Sequence, residues 1–139
     1  MVTARTVSVI IPTYRKRGFL EPTLRSLAAQ TYPADSIEVV VVDDCSEDGT
    51  LEYLRSLETP YSLVPVAHEA NRGRSAARNT AIRAASGEIV VFVDDDMRCE
   101  PDLIERYVRF HEEHPNAVAI GSAVTAPELG RATVYSYLD

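Results

Sequence analysis

Val90-Val91-Phe92-Val93-Asp94-Asp95-Asp96 sets an unbroken apolar run against three consecutive aspartates. The apolar part has the length and composition of a buried strand in a parallel sheet. The aspartates repel one another. Two unit charges ~4 Å apart interact by about 1 kcal/mol in water and about 4 kcal/mol near a protein surface. A cation offsets that cost. Hard divalent cations take oxygen ligands, and magnesium sites combine one or two carboxylates with substrate phosphates. The stretch therefore predicts a strand whose carboxyl end carries a metal–phosphate site. In an extended backbone Asp94 and Asp96 would face one way and Asp95 the other, so different members would hold different parts of a ligand.

Outward from this stretch the chain alternates between strand and helix patterns. Residues 7–11 form a short apolar run closed by Pro12 and read as the first strand. Residues 18–30 place Leu20, Leu24 and Leu27 at helical spacing. Residues 37–42 are β-branched and end in Asp43-Asp44, a second strand. Residues 48–57 predict a short helix with Leu51, Leu54 and Leu57 inward. Residues 61–66 contain Pro65, so this strand belongs at a sheet edge. Residues 75–86 are alanine-rich, a helix with a thin apolar face, and Gly87 is placed to cap its C-terminus. Residues 89–93 are the next strand. Pro101 opens a helix with Leu103, Ile104, Tyr107 and Val108 facing the core. Residues 117–124 predict a further strand, and residues 132–139 the start of a helix.

This β-α-β-α-β-α-β-α-β order predicts an α/β fold, one domain over residues 1–139, with an open, mostly parallel sheet and helices on both faces. In such Rossmann-like sheets ligands bind beyond the carboxyl ends of the strands, where strand order reverses. Both acidic clusters sit at such ends and would converge there.

Composition narrows the function classes. The chain has 139 residues, 45% of them apolar, and a net charge of -7. An acidic chain is a poor non-specific nucleic-acid binder, so no nucleic-acid partner is expected. Thirteen of the 14 basic residues are arginines, and the dense basic stretches, Arg15-Lys16-Arg17 and residues 72–78, are short enough to suit a small anion. The N-terminus carries no signal-peptide pattern, and no window approaches a membrane span. Cys45 and Cys99 make neither a disulfide framework nor a zinc spacing. A cytoplasmic, reducing location is the default expectation.

Three further elements carry chemistry. Asp43-Asp44 offers a carboxylate to a base or ribose, or else caps a turn together with Ser46 and Asp48. Asn71-x-Gly73-Arg74-x-x-x-Arg78 places two arginines on one helix face near an N-terminus, where N–H groups already favour a diphosphate. Tyr14 follows the first strand, where its ring can stack on a base or pack under the loop. His111-Glu112-Glu113-His114 lacks zincin spacing and reads as a solvated helix end.

In this order the motifs resemble the amino-terminal, nucleotide-binding half of family 2 glycosyltransferases, which have the GT-A fold. The matching pieces are residues 7–14 ending in Pro12-Thr13-Tyr14, Ser26-Leu27 through Gln30-Thr31-Tyr32-Pro33, and Val41-Val42-Asp43-Asp44 with Ser46 and Asp48-Gly49-Thr50. They continue with Asn71-x-Gly73, Ala77-Arg78-Asn79, Ala85-Ser86-Gly87-Glu88, and Phe92-Val93-Asp94-Asp95-Asp96 with Pro101. The resemblance implies that Pro12, Thr13 and Tyr14 line a base pocket and that Asp44 hydrogen-bonds the base, uracil first. It implies Asp95 near the ribose, Asp94 supporting the acidic motif, Arg78 organising the nucleotide site, and Asp96 as ligand of a manganese or magnesium ion on the diphosphate. Two positions depart from the family pattern: Cys45 stands where glycine is usual, and Arg15 where asparagine is frequent.

The expected function is the donor domain of an inverting glycosyltransferase that binds a nucleotide sugar, UDP-linked first, for transfer to an unknown acceptor. The match stops at Asp139, before the half that carries the acceptor site. No residue here matches the general base, so the catalytic residue is expected beyond Asp139. A homo-oligomer is expected if the acceptor half's packing face is bare, and any membrane association would come through segments outside this chain. The alternatives are a nucleotide-sugar-binding module without transfer, and a receiver-type signalling domain. The latter wants its acidic pair after the first strand and a lysine after a late one, whereas the only lysine here is Lys16.

Overall fold

The computed structural model describes residues 4–126 and 131–135. Four strands, β1 (Val7–Thr13), β2 (Ile37–Asp43), β3 (Ser62–Ala67) and β4 (Ile89–Phe92), form one parallel sheet in the order β3-β2-β1-β4. The β1–β2 ladder runs from Val7 opposite Ile37 to Thr13 opposite Asp43, so both strands end level. β3 lies at the edge, as Pro65 requires.

Alternation along β1 sorts the helices. Val7, Val9 and Ile11 join Val39 and Val41 in a core with α1 (Arg17–Ala28), α2 (Thr50–Ser56) and α4 (Leu103–Glu113). Leu20, Leu24 and Leu27 supply α1's buried stripe, and Leu103, Ile104, Tyr107 and Val108 supply α4's. Ile10, Val40 and Val42 point to the other face, where Ala77 and Ala81 of α3 (Arg74–Ala84) are fully buried. Alanine has no side chain beyond Cβ, so α3 lies close against the sheet. The α/β architecture with helices on both faces is thus as expected.

Several local expectations change. Gly87 is not a helix cap: α3 ends at Ala84 with Ala85 already extended. Gly87 instead passes so near β1 that a Cβ on it would sit 2.5 Å from the Ser8 nitrogen. β4 is buried on one face only. Ile89 and Val91 are covered, while Val90 and Phe92 are exposed, because α3 packs over β1 and β2 and leaves that face of β4 open. The strand expected over residues 117–124 begins later, as β6 (Ser122–Ala126), and lies outside the parallel sheet. It pairs antiparallel with β7 (Arg131–Tyr135), and β7 pairs with the two-residue β5 (Arg98–Cys99). The helix expected from residue 132 is therefore a strand up to Tyr135, where Thr133 and Val134 fit a pleated ladder. Residues 136–139 of that expectation lie outside the described residues. No described helix is long and apolar enough to cross a membrane.

Candidate nucleotide site

Strand order reverses between β1 and β4, because β2 and β3 build outward on one side of β1 and the chain then returns to the other. A cleft of about 380 Å³ opens at this end of the sheet. It is lined by Pro12, Thr13, Tyr14, Lys16, Asp44, Asn71, Gly73, Arg74, Ala77, Asp94 and Asp95. Six of the eight residues singled out from the sequence line it. The other two, Arg78 and Asp96, are joined to the lining by ion pairs: Arg78 with Asp94 and Asp96 with Lys16. A larger hollow of about 600 Å³ lies beside β4, lined by apolar groups including Phe92, Val118 and Ile120. It lacks convergent carboxylates.

The Asp43-Asp44 pair divides its work. Asp43 Oδ1 accepts the Ser46 N–H at 3.0 Å and closes the turn, as a capping residue would. Asp44 turns to the cleft and is only 3% exposed. Its Oδ1 accepts from the Arg72 N–H at 2.9 Å and meets His68 Nδ1 at 2.6 Å, and its Oδ2 accepts the Gly73 N–H at 2.8 Å. Burial alone would raise this carboxyl, but the Arg72 N–H, His68 and the Gly73 N–H outweigh it and hold the group below the ordinary aspartate range. A carboxylate offers about four acceptor sites. Three are used, so one on Oδ2 is left.

The expected alternation of Asp94, Asp95 and Asp96 is not observed. β4 stops at Phe92, and the Met97 N–H donates to the Asp94 carbonyl at 3.3 Å, closing a turn. In a turn, side chains no longer point alternately. Asp94 Oδ1 accepts from Arg78 Nη2 at 2.9 Å, toward α3. Asp95 faces inward, 5% exposed, and Oδ2 accepts the Thr13 hydroxyl at 2.9 Å. Lys16 Nζ lies 3.5 Å from Asp95 and 3.1 Å from Asp96. Burial raises the Asp95 carboxyl, against the Thr13 hydroxyl and Lys16. The Lys16 ammonium is raised, first by its hydrogen bond to Asp96.

Lys16 entered the sequence reading only in a basic stretch and as the sole lysine, without a role in the site, and His68 not at all. His68 lies one residue past β3, at the same carboxyl edge as Tyr14 and Asp44. Tyr14 is 40% exposed at the cleft wall, so its ring is not packed away under the loop. The two departures from the family pattern keep the backbone the family residues favour. Cys45 has φ +65° and Arg15 φ +51°, the left-handed region where glycine and asparagine are at ease.

Among the described residues no three His, Cys, Asp or Glu side chains converge as a ready metal cage. The donors present are carboxylate oxygens, the ligand type a hard divalent cation takes, in the small number that leaves room for phosphate oxygens.

Comparison with known proteins shows the family. The family described as glycosyl transferase family 2 matches over residues 8–137. Glycosyltransferase YfnE of Bacillus subtilis is 40% identical over 114 residues, 82% of this chain and 29% of YfnE. The crystal structure of Staphylococcus aureus TarS 1–349 in complex with UDP superposes with a TM-score of 0.74 at 38% identity, covering 79% of this chain and 33% of that one. Mannosyltransferase PcManGT from Pyrobaculum calidifontis, in complex with GDP-Man and Mn2+, superposes at 0.75 with 34% identity, covering 92% of this chain and 38% of that one. The chain therefore spans well under half the length of these relatives.

Proposed function

The chain belongs to glycosyl transferase family 2, and from that premise we propose that its cleft binds the nucleoside diphosphate of a sugar donor, UDP first, together with a divalent cation. The observation that carries this reading is the opposition of Asp44 to the Asp94–Asp96 turn across the β1/β4 switch point. A base, a ribose and a diphosphate need different partners, and an aromatic ring, carboxylates and basic groups all line the cleft.

Asp44 has one acceptor left and takes one N–H from the base. Uracil presents an N–H at its N3 edge, whereas cytosine presents a bare acceptor nitrogen there. Two acceptors facing each other leave a buried polar group unmet, which is costly. Tyr14 supplies an exposed ring for stacking. Asp95, anchored by Thr13, lies deep in the cleft and takes the ribose. Arg74 and the N-terminus of α3 face the diphosphate, while Arg78 holds Asp94 in place.

Asp96 is the proposed ligand of the cation, the binding being completed by diphosphate oxygens because the protein provides no full cage. Mn2+ or Mg2+ bound there would neutralise charge on the departing diphosphate. Lys16 holds the same carboxylates and adds a positive charge beside them. Every cleft carboxylate is committed to the donor side. From the resemblance, we assign the general base of an inverting transfer, and the acceptor site, to the part of the family's length that residues 1–139 do not span.

Calorimetric titration with UDP tests the proposal. With Mn2+ the affinity should exceed that in chelator by about tenfold or more, and Asp96→Ala should abolish the difference. Equal affinity in Mn2+ and chelator would overturn the cation's role. No heat in either condition would overturn the nucleotide reading.

A further inference from the structure

We infer that His68 is a positioning residue for base discrimination: it fixes the Asp44 carboxylate so that its one remaining acceptor meets the cleft at a defined angle. The inference deepens the nucleotide reading of the same cleft and rests on it.

The contacts leave little freedom. A carboxylate has no proton to give, so the 2.6 Å contact requires His68 Nδ1 to donate to Asp44 Oδ1. The other ring nitrogen, Nε2, lies 2.8 Å from Thr80 Oγ1 on α3. Both ring nitrogens therefore have a hydrogen-bond partner. The ring thus bridges the end of β2 to α3. Its own backbone is pinned as well, because the His68 N–H donates to the Asp43 carbonyl at 2.9 Å and extends the β2–β3 ladder. The side chain is 6% exposed, so water does not substitute for it freely.

The two backbone amides from Arg72 and Gly73 grip one oxygen each. They come from the segment leading into α3 and approach together. The imidazole approaches from the β3 end and supplies a further point of attachment. Without it, Oδ1 loses one of its two donors, and the carboxylate can rotate toward water or offer a second acceptor to the cleft. Either change relaxes the demand for an N–H from the base. His68 is not among the residues that line the cleft. Its effect reaches the base through Asp44.

The experiment compares UDP and CDP binding to the protein in Mg2+. Wild type is expected to prefer UDP. His68→Ala should lower that preference about tenfold, the weight of one hydrogen bond to a charged group. Affinity for CDP should change by less than about twofold. His68→Asn, whose side-chain N–H2 can replace the Nδ1 donor, should recover most of the preference. Equal weakening of UDP and CDP by His68→Ala, or an unchanged preference, would overturn the inference while leaving the nucleotide site intact. A wild type without preference would overturn the base reading of Asp44 as well. Nitrogen-15 spectra of wild-type His68 decide the matter if the alanine variant does not fold. A proton on Nδ1 is expected, and a bare Nδ1 would overturn the inference.

Discussion

At the scale of single residues, the two cysteines differ in what surrounds them. Burial pushes the Cys99 thiol up to about 11, so it carries almost no thiolate at neutral pH. Cys45 is half-buried, and both are free thiols. Alkylation of the folded protein at pH 8 should label Cys45 and spare Cys99, while the unfolded protein should take label at both. Equal rates in the folded state would contradict the burial of Cys99.

Asp44 makes a second prediction at this scale. Its folded carboxyl is held below the ordinary range. A depressed carboxyl stabilises the fold fully above its unfolded value, and that contribution is lost as pH falls through the lower, folded value. Asp44→Asn removes this contribution. The difference in melting temperature between wild type and Asp44→Asn should shrink as the solution is acidified below about pH 4. A difference that grows on acidification would contradict the three-donor environment of the carboxylate. The carboxylate itself was legible in the sequence because it ends a β-branched run. His68 was not, because a lone histidine after an edge strand has no spacing partner to mark it.

At the scale of elements, the close crossing of Gly87 over β1 is the most exacting contact. The Gly87 N–H donates to Ser8 Oγ at 2.8 Å, and the Ser8 hydroxyl donates to Glu38 on β2. A methyl group at residue 87 would meet the Ser8 and Val7 backbone, which cannot move without disturbing β1. Gly87→Ala should therefore destabilise by about 1–3 kcal/mol, the cost of forced overpacking. Denaturant unfolding measures it, and a neutral result would mean that the β1–β4 crossing is looser than described. The sequence marked this glycine but misassigned its reason, since a glycine after an alanine-rich helix looks like a cap whether or not the helix reaches it.

Element identity was clear where apolar periodicity was sustained. The leucines of α1 and the β-branched run of β2 leave little choice of structure. It failed where runs were short. β5 has two residues, too few to show any period, and β7 has five, paired both with β6 just before it and with the distant β5. The turn at Asp94–Met97 was missed for a related reason. Alternation was carried past the end of β4, but the backbone had already left the ladder.

At the scale of the whole molecule, the fold brings together residues far apart in the chain. Thr13 reaches Asp95 across 82 positions, and Lys16 reaches Asp96 across 80. These contacts follow from placing β4 beside β1, so the sheet order that makes the parallel core also makes the cleft. The open side of β4, with Val90 and Phe92 exposed, lies apart from that cleft lining. The same molecule therefore offers two distinct surfaces, one acidic and lined by backbone amides, the other apolar. Of these two, the first carries the carboxylates and basic groups that the proposed nucleotide reading calls on.

Amide shifts followed during a titration with UDP and Mg2+ test that claim most directly. The predicted result is a saturable set of shifts at Thr13, Asp44, Gly73 and Asp95, with Val90 and Phe92 on the open side of β4 unmoved. Shifts centred on the apolar side of β4, or none at saturating UDP, would contradict the account.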